Sequence, residues 1–177
     1  MNTSKARLVE ICQDIRLILS DVDGVLTDGG IIFDNNGIET KKFHVRDGLG
    51  IRLWQRAGHK FGLLTARTSH IVQVRADELG IDVVRQGFHD KLPVAEEMIN
   101  QLELSTKQVC YIGDDLADLP VMRAVGMSVA VADAADDVTA GADHVTQRAG
   151  GNAAVREVVE TILKAQNRWE DLIQRYR

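Results

Sequence analysis

A chain of 177 residues has room for one domain of ordinary size, which excludes a large multidomain enzyme. With 45% hydrophobic but only 5% aromatic residues the core is aliphatic, and 21 Lys plus Arg against 26 Asp plus Glu, a formal charge of -5, exclude a general nucleic-acid or anionic-membrane binder. No run of about 18 apolar residues could span a bilayer and the first residues (MNTSKARLVEICQDIR) lack a signal peptide's apolar stretch, so the expectation is a soluble, cytoplasmic protein.

In chain order, the first buried strand is expected at 16–20 (RLILS). Residues 30–45 (GIIFDNNGIETKKFHV) carry two β-prone stretches around Asp34-Asn35-Asn36-Gly37, a turn-forming run, so a β-hairpin is inserted after that strand. An isolated hairpin is marginal in water, so this one must pack on its own sheet or on another subunit. Helix, strand, helix and strand follow at 47–58, 60–64, 68–80 and 82–84, with Gly58 and Gly80 as the helix stops. A helix at 91–103, a strand at 109–112, a helix at 117–125 and a strand at 128–131 complete the alternation. Short apolar runs alternating with helices predict an α/β fold, a doubly wound, Rossmann-like parallel sheet. The segment 152–177 has a 3-4 apolar stripe from Val155 to Tyr176 and reads as one long amphipathic helix, whose end from Trp169 packs on the sheet or reaches a neighbouring subunit. Cys12 and Cys110 lie far apart in apolar surroundings without a CxxC pattern, which predicts a reduced, buried pair.

Chemistry concentrates where strands end. Asp21 and Asp23 (LSDVDGVLTD) follow the first strand, and the carboxyl ends of parallel strands form the ligand crevice. Asp114, Asp115 and Asp118 (YIGDDLAD) follow the run VCYI, so a second acidic cluster arrives at another strand end. Carboxylates without clustered His or Cys favour a hard cation, Mg2+ before Zn2+. Thr65 and Arg67 follow the strand KFGLL, and Lys91 opens a helix after HD. A hydroxyl and an ammonium at such points suit phosphoryl oxygens and the charge that develops during in-line transfer.

These four stations resemble the motifs of the haloacid dehalogenase superfamily: DVDG, LLTAR, DK and GDD. The resemblance implies that Asp21 is the nucleophile that carries an aspartyl-phosphate, Asp23 the acid and base, and Thr65 and Lys91 the phosphoryl-binding pair. It further implies Mg2+ held by Asp21, the backbone carbonyl of Asp23 and Asp114, with Asp115 orienting the metal shell. Nearly the whole chain is similar to the superfamily's capless branch, the 3-deoxy-D-manno-octulosonate 8-phosphate phosphatases, through DIRLILSDVDGVLTDG, FHVRDGLGI, LLTARTSHIVQVRADELGI, YIGDDLADLPVM and AGGNAAVREVVETIL. That similarity implies one phosphatase domain over 1–177 with no cap domain, a phosphorylated acidic sugar as substrate, a place in lipopolysaccharide sugar synthesis, and a homotetramer in which the hairpins associate. It also brings Arg46, Gly48 and Arg67 near the substrate, with the two arginines on phosphate or carboxylate, or else in structural ion pairs.

The sequence departs from the family's glycines at Ala66 and Ala153, and its end, QNRWEDLIQRYR, is not a flexible glycine-containing tail. His44, His59, His70, His89 and His144 share no ligand spacing and read as structural or surface residues, Asp47 as the cap of the following helix, and Asp28 as either a site residue or a turn former. A related nonulosonate 9-phosphate is the alternative substrate. A noncatalytic assembly module is a second class, disfavoured by the intact Asp21, Asp23, Lys91 and Asp114. A signalling receiver would place Thr and Lys after its acidic residues; here the second acidic cluster comes last.

Overall fold

The structure, a computed structural model, describes residues 5–177; residues 1–4 of the N-terminal stretch lie outside them. After α1 (Lys5–Asp14), β1 (Leu17–Ser20) is followed by the short strands β2 (Ile32–Phe33) and β3 (Glu39–Thr40), then α2 (Val45–Arg56) and β4 (Lys60–Thr65). The chain continues through α3 (His70–Leu79), β5 (Val83–Gln86), α4 (Lys91–Gln101), β6 (Val109–Gly113), α5 (Leu119–Ala124) and β7 (Met127–Ala130). It closes with α6 (Asp136–Gly141), β8 (His144–Val145), α7 (Ala154–Ala165) and α8 (Trp169–Ile173).

Six strands form one parallel sheet in the order β5-β4-β1-β6-β7-β8, and β2-β3 form a separate antiparallel ladder. This is the doubly wound α/β architecture expected, with the hairpin after the first strand. Period-2 alternation sends Ile18, Cys110 and Ile112 into the core under α1, α2, α3 and α7, and sends Leu17, Leu19 and Tyr111 into the core under α4, α5 and α6. The central strands are thus apolar on both faces, as helices on both sides of a parallel sheet require. Both cysteines are free and buried. Among the described residues, no helix is long and apolar enough to cross a membrane.

The hairpin turn forms where the sequence places it. Asp34 Oδ1 accepts the amides of Asn36 and Ile38, and Gly37 takes a φ of 78°. The ladder holds only two residue pairs, and Ile31, Ile32, Phe33 and Ile38 are exposed.

Two expectations change. The helix over 152–177 is broken: Asn167 adopts a φ of 56°, and the chain folds back so that Trp169 is buried between Arg156 and Lys164, 5.0 and 5.3 Å from its ring. Asp47 does not cap α2, whose cap is His44 through Nδ1; its buried carboxylate instead accepts the amide of Arg156, 2.7 Å away, at the start of α7. The residue before α7, Ala153, has no acceptor on its side chain, and Asp47 supplies one from the neighbouring helix. Ala153 also takes a φ of 71°, so the chain keeps there the backbone shape that a glycine permits, while Ala66 needs no such conformation.

Candidate active site

The parallel register aligns the ends of the central strands. Ser20 pairs with Leu63 of β4 and with Ile112 of β6, so Asp21, Thr65 and Asp114 emerge side by side at the carboxyl edge. The chain runs outward from β1 through β4 to β5 and then crosses to β6 on the other side, which makes the β1/β6 junction the switch point of the sheet. Lys91, the first residue of α4, reaches the same edge from the β5 side.

Asp21 is nearly buried. Its Oδ1 accepts the amide of Val22 at 2.7 Å and its Oδ2 pairs with Lys91 Nζ at 2.9 Å. Lys91, only 2% exposed, also donates to Asp118 Oδ1 at 2.7 Å. Oxygens of Asp21, Asp114 and Asp118 lie within 4.8 Å of one another. Burial, then the neighbouring Asp118, pushes the Asp21 carboxyl up to about 6 against the pull of Lys91. Burial followed by the charges of Asp21 and Asp118 pushes Asp114 up to about 8. Burial works against the Lys91 ammonium, but the two carboxylates outweigh it and hold Lys91 above its usual value.

Two glycines make the crowding possible. A Cβ on Gly24, whose φ is 92°, would lie 2.0 Å from Asp114 Oδ2. A Cβ on Gly150 would lie 1.7 Å from the carbonyl oxygen of Gly24, so the loop before α7 presses directly on the turn that carries Asp21 and Asp23.

Asp118, fully buried, carries more than its spacing suggested. Its Oδ1 accepts from Lys91 and from the Tyr111 hydroxyl, and its Oδ2 accepts the amides of Asp114 and Asp115. With both oxygens on protein donors, Asp118 holds the turn and the lysine. Asp114 Oδ1, by contrast, is buried with no partner, which leaves an oxygen free for a cation. The all-oxygen donor set and the mutual repulsion of Asp21 and Asp114 fit a hard divalent ion such as Mg2+. Asp115 is exposed and uses one oxygen to cap the turn at Leu116.

Thr65 is buried at the end of β4, its hydroxyl accepting the amide of Arg67. Arg67 Nε stands 4.0 Å from Asp23 Oδ2, and its Nη2 bonds Glu39 of β3 at 2.8 Å. Glu39 and Lys41 are not legible as site residues in the sequence, since nothing in the spacing of a hairpin residue says which distant group it meets. The other expected substrate residues, Arg46 and Gly48, lie on α2. Arg46 is exposed and lines a groove with Gln147, Arg148 and Arg156, while Gly48 sits where α2 packs on α3, a Cβ there meeting Arg75 at 2.5 Å. Asp28 forms the turn before the hairpin, bonding the amide of Gly30 and pairing with Lys42. Of the histidines, His44 caps α2 and His59 stacks on Trp54 at 4.2 Å.

Comparison with known proteins agrees with this geometry. A family model described as haloacid dehalogenase-like hydrolase matches residues 74–158. The 3-deoxy-D-manno-octulosonate 8-phosphate phosphatase of Escherichia coli K12 is 43% identical over 166 residues, which cover 94% of this chain and 88% of that one. The crystal structure of the Yersinia pestis phosphatase of the same name superposes with a TM-score of 0.91 at 45% identity, covering 92% of this chain and 88% of that one. The Moraxella catarrhalis phosphatase, solved with a magnesium ion, a phosphate ion and KDO, gives a TM-score of 0.96 at 39% identity, with 98% and 100% of the two chains covered. Sheet, acidic strand ends and near full-length similarity lead to one conclusion: the chain belongs to the haloacid dehalogenase-like hydrolases, in the family of the 3-deoxy-D-manno-octulosonate 8-phosphate phosphatases.

Proposed function

We propose that this protein removes the phosphoryl group of 3-deoxy-D-manno-octulosonate 8-phosphate by way of an aspartyl-phosphate on Asp21. The observation that carries the reading is the buried Asp21, one oxygen on Lys91 and the other on an amide, at the end of the central strand. Names of relatives covering nearly the whole chain point to the same substrate.

In this mechanism an Asp21 oxygen attacks phosphorus and the bond from phosphorus to the sugar oxygen breaks. Asp23 gives its proton to that oxygen, so the sugar leaves as an alcohol. Water then attacks the aspartyl-phosphate while Asp23 takes its proton back, releasing phosphate and regenerating the Asp21 carboxylate. Thr65 and Lys91 bind the phosphoryl oxygens throughout. Mg2+, held by Asp21, the Asp23 carbonyl and Asp114 with Asp115 flanking it, would neutralise the acidic cluster and stabilise charge on the phosphoryl group. Arg67, paired with Glu39 and with its side chain 42% exposed beside Asp23, is assigned to the sugar's carboxylate. Arg46 and Gly48, on α2, are assigned to the substrate by family resemblance alone. The exposed Ile31, Ile32, Phe33 and Ile38 support a homotetramer joined through its hairpins.

Phosphate release should be measured with Mg2+ from the octulosonate 8-phosphate, nonulosonate 9-phosphates and a generic phosphoester. The octulosonate should be cleaved best, and Asp21→Asn should reduce its turnover at least about 1000-fold with the fold intact. A preference for the nonulosonate would reassign the sugar. Wild-type turnover by Asp21→Asn would remove Asp21 as the nucleophile.

A further inference from the structure

We propose that Lys41, on the return limb of the hairpin, is a positioning residue for Asp23, fixing one carboxylate oxygen so that the other meets the leaving-group oxygen and then the attacking water. The inference rests on the acid and base role proposed for Asp23.

Lys41 stands out against its surroundings. The hairpin is largely exposed and the next residue, Lys42, has a side chain 68% exposed, yet the Lys41 side chain is only 1% exposed. A lysine is buried that far only when its charge is paired. Its ammonium bonds Asp23 Oδ1 and lies 3.3 Å from Glu39 Oε1. Asp23 Oδ2 is buried with no hydrogen-bond partner. The two oxygens of one carboxylate are thereby made unequal, one hydrogen-bonded to the hairpin and the other without a hydrogen bond, 4.0 Å from Arg67 Nε.

Glu39 anchors the clamp. Its Oε1 also takes the Arg67 guanidinium and its Oε2 the Ser69 hydroxyl at 2.7 Å, so the hairpin and the loop after β4 are tied together beside Asp23. The hydrogen bond from Ser69, then those from Arg67 and Lys41, outweigh burial and lower the Glu39 carboxyl to about 2, so the anchor keeps its charge in the working range. Proton transfer needs the carboxylate within hydrogen-bond reach of the reacting oxygen, and a side chain free to rotate about Cβ spends little time there.

The test compares Lys41→Met, Lys41→Arg and Lys42→Met with the wild type on p-nitrophenyl phosphate and on the alkyl phosphate that the wild type cleaves best. Lys41→Met should lower kcat on the alkyl phosphate at least about tenfold with KM within about twofold, because the loss is in proton transfer rather than binding. Nitrophenolate leaves without a proton, so single-turnover release of nitrophenol should fall by less. Lys41→Arg should recover most of the rate, and Lys42→Met should match the wild type. In an Asp23→Asn background, Lys41→Met should cost nothing further in single-turnover nitrophenol release.

Equal losses on both leaving groups, a raised KM as the main effect, or an additive loss in the Asp23→Asn background would overturn the proposal and leave Lys41 as a staple of the hairpin. If Lys41→Met does not fold, Lys41→Gln is read against the same criteria. Full activity of Asp23→Asn alone would instead remove the acid and base role on which the inference stands, a result distinct from any outcome at Lys41.

Discussion

Asp118 serves the site as an organiser. Four donors converge on its two oxygens, two of them backbone amides of the acidic turn, one a buried phenol and one the ammonium that also holds Asp21. Asp118→Ala would leave a buried tyrosine hydroxyl unpaired and the buried lysine with Asp21 alone, and should cost about 3 kcal/mol, measured by urea unfolding. The raised carboxyls of Asp21 and Asp114 give a second expectation. Their folded values, about 6 and about 8, lie above the unfolded value of 3.8, so the folded chain binds more protons than the unfolded one across that interval. Stability of the metal-free protein should therefore fall as pH rises from about 4 to about 8. Mg2+ has to displace the Asp114 proton within that range, so its stabilising effect should grow with pH. Melting curves with chelator and with Mg2+ at about pH 5.5 and about pH 8.5 check both signs; a larger Mg2+ effect at the lower pH would contradict the assignment.

At the scale of elements, what could be read from the sequence was what local pattern determines. Runs such as RLILS and VCYI are apolar on both faces and became β1 and β6. Glycines ended α3 and followed α2 as expected: Gly80 takes a φ of 66° and Gly58 a φ of 82°. The elements that went unread have weak local signals. β8 is a two-residue edge strand paired with β7, and α1 has a charged sequence made helical by packing on α7. The stripe over 152–177 continued past a break because periodicity does not register Asn167 turning left-handed, after which Trp169 finds its partners on α7 itself. The Asp47 cap was misplaced for a related reason: a side chain near one helix start can serve another that only tertiary structure brings close. Asp47→Ala should destabilise the protein by about 1–2 kcal/mol and raise amide exchange in the first turn of α7, leaving the α2 start protected by His44.

The whole molecule explains why the site was more legible than its supports. Asp21, Thr65, Lys91 and Asp114 each sit at a strand end or the helix start that follows one, and a parallel register brings such positions together whatever the detail of packing. Lys41, Glu39 and Tyr111 reach the same region by side-chain geometry that no spacing rule encodes. The exposed apolar face of the hairpin belongs to this scale as well. If the hairpins join subunits, Phe33→Asp should shift the protein to smaller species in sedimentation and lower turnover by loosening the Lys41 and Glu39 limb; an unchanged sedimentation coefficient would count against the assembly.

The pressing of Gly150 and Gly151 on the Asp21 turn has a consequence for the order of events during synthesis. Gly151 donates its amide to Val25, joining a segment near the carboxyl end of the chain to one near its start. The central strand leaves the ribosome early, yet the turn carrying Asp21 gains this contact only as the last fifth of the chain emerges. Contacts of such long sequence separation form slowly, so the finished shape of the Asp21 turn is a late product of folding.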